Sequence, residues 1–175
     1  MTEHILETQD LILKKCEFND WKDMYQNIWC HEESTKYMLW KITTSEEAAK
    51  ERMRKCLAAQ EKSPYNWTVF EKRSGQAIGW AVMEEVEQGV FEDQGIAIGP
   101  AFTGKGYGKQ IVNAMVELAR DELGAKKLIL SYRSQNVASR KMQEACGFVY
   151  SHSEEKIDPR DGQPYEVVYT VKEFV

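Results

Sequence analysis

Three glycines at alternate positions, Gly104, Gly106 and Gly108, stand where a strand pattern gives way to a helical one. No other stretch restricts the backbone as strongly. Glycine takes up positive φ and lets the main chain approach a ligand closely. A helix that starts there presents amide N–H groups with no intrahelical acceptor, at the positive end of its dipole. Lys105 and Lys109 add charge. The run Thr103, Gly104, Lys105, Gly106, Tyr107, Gly108, Lys109 therefore reads as a loop for a phosphate or pyrophosphate.

Two other phosphate loops fit less well. Residues 99–105 satisfy the nucleotide pattern G-x-x-x-x-G-K, but Gly106 stands where a Ser or Thr would hold Mg²⁺. The dinucleotide pattern G-x-G-x-x-G lacks its third glycine from either start, because Lys109 and Ile111 occupy that place. That pattern also needs a parallel βαβ opening, and the strands before the loop read as a meander.

Before the loop, residues 6–14 read as an opening strand. Asn19 is placed to cap a helix with Trp21, Met24, Tyr25 and Ile28 on one face. Thr44 and Glu47 form a capping box ahead of a helix carrying Ala49, Met53, Cys56 and Leu57 in a stripe. Residues 67–71, 77–84 and about 90–98 read as three strands joined by short turns. After the loop, a helix over about 106–123 ends at Gly124, and a strand follows over 127–131. Asn136 caps a last helix with Ala138, Met142 and Ala145 facing inward, and Gly147 ends it. Strands near 148–152 and 165–171 flank the turn at 158–162. There is no internal repeat or linker, so residues 1–175 read as a single α+β domain with a mixed sheet.

Composition removes several function classes. Lys and Arg number 23 against 28 Asp and Glu, a formal net charge of −5, which argues against a broad nucleic-acid partner. Cys16, Cys30, Cys56 and Cys146 form no C-x-x-C, and His4, His31 and His152 are scattered, so no metal site is expected. No apolar run is long enough for a bilayer, and the start lacks the basic and apolar segments of a signal peptide. The expectation is a cytoplasmic protein, monomer or homodimer, with no membrane partner.

With these motifs in place, the chain resembles the GNAT superfamily of N-acetyltransferases, and within it the RimJ/RimL type. That family's loop reads R/Q-x-x-G-x-G/A, matched by residues 103–108 except that Thr103 replaces Arg or Gln. Residues 7–14 (ETQDLILK) resemble its opening, Ile78-Gly79 its meander, Asn136 to Lys141 followed by Gly147-Phe148 its last helix, and residues 161–169 its closing hairpin. The resemblance implies a GNAT-like mixed, mostly antiparallel sheet with helices on both faces and a splay between the two central strands. Acetyl-CoA would lie in the splay as co-substrate, with no metal. Its pantetheine arm would pair with Ile96, Ala97 and Ile98, and its pyrophosphate would rest on the glycine loop. Asn136 and Arg140 would contact the cofactor as well.

The implied reaction is transfer of an acetyl group to a primary amine, either a protein N-terminus or a small amine, by direct attack on the thioester. An amine is mostly protonated at neutral pH, so a base is needed. Asp93 aligns with the family's strand glutamate and is the expected base; Glu92, one residue away, should point to the opposite face. A backbone N–H near a kink at Ile98 would serve the oxyanion. Ser139 matches the serine of the N-x-x-S motif and is expected near the leaving sulfur, since Gln143 occupies the place where many relatives carry a tyrosine. The alternative is a non-catalytic acyl-CoA-binding module, which would bind the cofactor and transfer nothing.

Overall fold

The computed structural model describes residues 2–175. Its strands are β1 (Leu6–Glu7), β2 (Leu11–Lys14), β3 (Asn66–Glu71), β4 (Ala77–Glu87), β5 (Val90–Ile98), β6 (Lys127–Arg133), β7 (Val149–Ile157) and β8 (Pro164–Glu173). They form one eight-stranded sheet in the order β1-β2-β3-β4-β5-β6-β8-β7. Every pairing is antiparallel except β5 with β6. The helices are α1 (Trp21–Met24), which continues as a wider turn over Tyr25–Trp29, α2 (Glu46–Lys62), α3 (Tyr107–Glu117) and α4 (Val137–Ala145). This is the mixed, mostly antiparallel α+β architecture expected from the sequence.

Strand alternation splits the core between the two faces of the sheet. Val69 packs with Ile111, Met115, Leu118, Met83 and Leu128 under α3, while its neighbour Phe70 packs with Trp21, Ile28, Trp29 and Met53 under α1 and α2. Burying each of these large side chains contributes roughly 1.5–3 kcal/mol.

Several local expectations need correction. The opening strand is two short strands, β1 and β2, paired back on each other. Asn19 lies inside a 3₁₀ turn, Phe18–Asp20, and does not cap α1. Glu17 is the residue with the extended backbone a cap requires, and its N–H donates to Asp20 Oδ2 at 2.7 Å. Ser45, not Thr44, caps α2: its Oγ accepts the Ala48 N–H at 3.1 Å. The long helix after the glycine loop keeps its regular form only to Glu117, then widens over Leu118–Glu122 before Gly124. On α4, Ala138 and Ala145 are exposed; Gln143 and Cys146 are the buried positions. An apolar stripe misplaces this helix because a polar residue, fully hydrogen-bonded, faces the sheet.

Candidate active site

β5 and β6 pair over only three residues, Val90 with Lys127, Phe91 with Leu128 and Glu92 with Ile129. Beyond that point β5 continues to Ile98 and β6 to Arg133 without pairing, so the sheet forks. A cleft of about 390 Å³ opens beside the fork, lined by Ile96, Ala97, Ile98, the glycine loop, and Asn136, Ala138, Ser139 and Met142 of the α4 region.

The floor of the cleft is unpaired backbone. The Gly99 N–H reaches back to the Ile78 carbonyl at 2.8 Å. By alternation, the peptide groups of Ile98 and Ile96 point the other way, into the gap. The loop is equally bare. Gly104 and Gly106 sit at φ +77° and +79°, a region open to glycine, and the first helical bond runs from the Gln110 N–H to the Gly106 carbonyl. Among the described residues, the amides of residues 104–109 have no backbone or side-chain acceptor. Such a row of donors at the start of α3 fits a pyrophosphate. Thr103 lines the cleft, but its hydroxyl donates to the Pro100 carbonyl at 2.9 Å.

Two polar side chains that sequence reasoning passed over, buried Glu71 and half-buried Gln110, hold this loop. Glu71, at the end of β3, accepts from Tyr107 Oη at 2.6 Å and from Ser74 Oγ at 2.7 Å. The Tyr107 hydrogen bond is the main cause that holds the Glu71 carboxyl below its usual range, and it pushes the Tyr107 phenol up to about 12. Gln110 takes the Thr8 hydroxyl at 2.6 Å and the Asp10 N–H at 3.1 Å, and donates to Asp10 Oδ2 at 2.7 Å. Only a Tyr or Gln at the start of a helix, with an acidic residue in a distant turn, could have signalled these ties.

Asp93 stands one residue past the last β5–β6 pair. Its Oδ2 accepts the Ser131 N–H at 3.0 Å, across the opening fork. Desolvation pushes its carboxyl up to about 7; the Ser131 bond acts against this and the Glu92 charge adds to it. The strand kink falls here and not at Ile98. Register against β4 shifts between Val82, opposite Gly95, and Met83, opposite Asp93, so Gln94 is the bulged residue.

Ser139 lies in the first turn of α4 and faces the cleft. Its N–H donates to Asn136 Oδ1 at 3.1 Å, which makes Asn136 the helix cap. Its Oγ accepts from Gln143 Nε2 at 3.2 Å, leaving the hydroxyl proton free to donate. Gln143 Nε2 also donates to the Ser131 carbonyl at 3.1 Å, and its Oε1 accepts from Thr170 at 2.7 Å. The main chain of Ser131 thus joins Asp93, through its N–H, to Gln143 and Ser139, through its carbonyl.

Two expected cofactor contacts lie apart from the cleft wall. Lys105 turns toward Glu71, 3.7 Å away, and lies over the rings of Phe102 and Tyr107. Arg140 is half-exposed beside Glu144 at 4.0 Å. Both are long cations on the rim. Among the described residues, no group of three or more His, Cys, Asp or Glu side chains is arranged to hold a metal ion.

The sequence profile of the acetyltransferase (GNAT) domain matches residues 10–149. An FsC-acetyl coenzyme A-N(2)-transacetylase of Aspergillus fumigatus is 29% identical over 92 residues, which cover 48% of this chain but only 38% of that protein. A GNAT-family acetyltransferase of Bacillus anthracis has the same fold, with a TM-score of 0.83 at 19% identity over 97% of this chain and 98% of the other. The microcin C7 self-immunity acetyltransferase MccE, solved with acetyl-CoA and AMP, matches with a TM-score of 0.79 at 15% identity over 95% and 94% of the two chains.

Proposed function

Since the chain belongs to the GNAT family of acetyl-CoA-dependent N-acetyltransferases, we propose that it acetylates a primary amine, on a protein N-terminus or a small molecule, by direct attack on the thioester. The observation that carries this reading is the row of unpaired amides over residues 104–109, set at the mouth of a fork whose floor is also unpaired backbone. We read residues 1–175 as one catalytic domain, supported by the single continuous sheet.

Acetyl-CoA supplies the activated acetyl group and a thiolate leaving group. The amides of Gly104, Gly106, Tyr107, Gly108 and Lys109 would hold its pyrophosphate, with Thr103 lining the cleft beside it, and the inward peptide groups of Ile96 and Ile98 would pair with its pantetheine and with the thioester oxygen. Lys105 and Arg140 would act from the rim as unspecific positive charge. Asp93, with its carboxyl near neutrality, takes the ammonium proton, directly or through water. The amine nitrogen then bonds the acetyl carbon, the carbon–sulfur bond breaks, and the Ser139 hydroxyl donates a hydrogen bond to the departing sulfur.

The RimJ/RimL assignment rests on the N-x-A-S-R helix start, where Asn136 and Ser139 are coupled through a cap. A cytoplasmic location is supported by four free cysteines. No described helix is long and apolar enough to cross a membrane. The test is an acetyl-CoA transfer screen over peptide N-termini, polyamines and aminoglycosides, read by mass spectrometry. Acetylated product with release of free CoA is expected. Tight CoA binding with no product on any amine would overturn the reading.

A further inference from the structure

Past Glu92 and Ile129 the two limbs of the fork no longer pair with each other. The β5 limb keeps β4 on its far side, and the β6 limb keeps β8. Near the base, the hydrogen bond from the Ser131 N–H to Asp93 spans the gap. Two residues further along, Arg133 ends β6 and belongs to a second connection between the limbs.

That connection is the segment 35–40. It is part of a loop closed at its neck by the Thr43 N–H on the Trp29 carbonyl at 2.7 Å. On one side, the Trp40 ring lies 5.8 Å from that of Trp80, a β4 residue paired with Ala97 of the β5 limb. The Arg52 guanidinium sits over Trp40 at 4.3 Å. On the other side, Tyr37 Oη donates to the Gln135 carbonyl at 3.4 Å, next to the Asn136 that lines the cleft. Arg133 Nη2 donates to the Met38 carbonyl at 3.4 Å. Arg160 Nη1, from the β7–β8 turn, donates to the Thr35 carbonyl at 2.8 Å and to that of Trp40 at 3.4 Å. The segment is a strap with contacts on both limbs.

One buried carboxylate, Asp158, holds both arginines. Its Oδ2 accepts from Arg133 Nη2 at 2.6 Å and from Arg160 Nη2 at 2.8 Å, and its Oδ1 accepts from Arg160 Nε at 3.0 Å. Among the described residues it is the one carboxylate within ion-pair distance of either guanidinium. The Arg160 bonds, then that from Arg133, hold its carboxyl well below the usual range. A single carboxylate cannot take every N–H of two guanidiniums, and the strap carbonyls accept some of the rest. Without Asp158, two half-buried like charges would face each other, and their escape to water would free those carbonyls.

Resting on the acetyltransferase reading above, we propose that Asp158 is a positioning residue for acetyl transfer: through Arg133 and Arg160 it fixes the strap that sets the separation of the two limbs. Asp93 belongs to the β5 limb, and Ser139 follows the β6 limb in the first turn of α4. Their spacing across the thioester depends on that separation. Asp158 itself touches neither the cofactor loop nor the base.

The test reads turnover, acetyl-CoA affinity and strap opening separately. Asp158→Asn releases both arginines. Arg160→Gln leaves Asp158 paired with Arg133 and removes the Arg160 contacts to the Thr35 and Trp40 carbonyls. Spermidine, kanamycin and an alanyl peptide serve as amines. The kcat of amine-dependent CoA release should fall roughly 10- to 100-fold in Asp158→Asn, the range of a small misplacement at a reacting centre, and by less in Arg160→Gln. Asp158→Glu, which keeps the charge, should recover part of the loss. The acetyl-CoA Kd should stay within about a factor of two, because none of the clamp's hydrogen bonds reaches residues 104–109. Tryptic cleavage after the exposed Lys36 and Lys41 of the same loop should quicken in the order of the kcat losses. A lowered urea midpoint with kcat unchanged marks a purely structural clamp and overturns the proposal. Acetyl-CoA affinity lost in step with kcat overturns it too. Either result leaves the acetyltransferase reading standing. Absence of CoA release by the unaltered protein with every amine removes that reading and this role with it. If Asp158→Asn does not fold, Arg160→Gln, in which the carboxylate keeps a partner, decides the matter.

Discussion

Asp93 bridges the fork by accepting the main-chain N–H of Ser131 at 3.0 Å, at the point where their strands have ceased to pair. Without it, the edge of β6 at the base of the cleft would carry an unmatched donor. The same carboxylate is therefore both a brace for the fork and a group with a proton affinity near neutrality.

Asp93→Asn keeps an oxygen acceptor for Ser131 and removes the base. The expected outcome is a kcat about 10²- to 10⁴-fold lower, with acetyl-CoA affinity within a factor of two. The unaltered protein should show an activity limb rising through about pH 7 as Asp93 loses its proton, and the variant should lack that limb. Steady-state rates from pH 5.5 to 9, with direct binding of CoA, check both points.

Linkage gives the same substitution a second signature. An Asp raised in the folded state binds its proton more tightly there than in the unfolded chain. Its stabilising contribution is fully present below the unfolded value near 3.9 and is lost as pH rises through the folded value of about 7. Stability should therefore fall between about pH 4 and pH 7, and more steeply than in Asp93→Asn. Urea unfolding at the two pH values measures the difference.

Gln143→Leu should destabilise the fold by roughly 1–3 kcal/mol. Gln143 is buried, and its removal strands the Ser131 carbonyl and the Thr170 hydroxyl, both of which it serves. The Ser139 hydroxyl loses its donor too. Thermal or denaturant unfolding reads the first effect. A fall in kcat with an unchanged acetyl-CoA KM reads the second.

Thr103→Arg should lower the acetyl-CoA KM by about tenfold, equivalent to one charge-assisted hydrogen bond to the pyrophosphate. Thr103 spends its hydroxyl on the Pro100 carbonyl, so the loop amides are unaffected by its loss. The gain should shrink at 0.5 M salt, and the amine KM should stay constant. Initial rates at two ionic strengths test it.

What the order of residues determined by itself is local. The limits of β5, the glycine loop, the Asn136 cap and the stop at Gly147 each follow from chemistry within a few positions, because φ preferences and first-turn hydrogen bonds act over that range. The architecture was legible through the resemblance and through strand spacing. Only the tertiary structure decided that β5 and β6 part after Glu92 and Ile129, that the bulge falls at Gln94, and that Asp93 meets a peptide 38 residues away. It alone buried Gln143 of α4 against β6 and β8 and set Arg52 against the rings of Trp29 and Trp40. A polar side chain reads as surface until its partners are known, and those partners come from distant segments whose meeting depends on how whole faces pack.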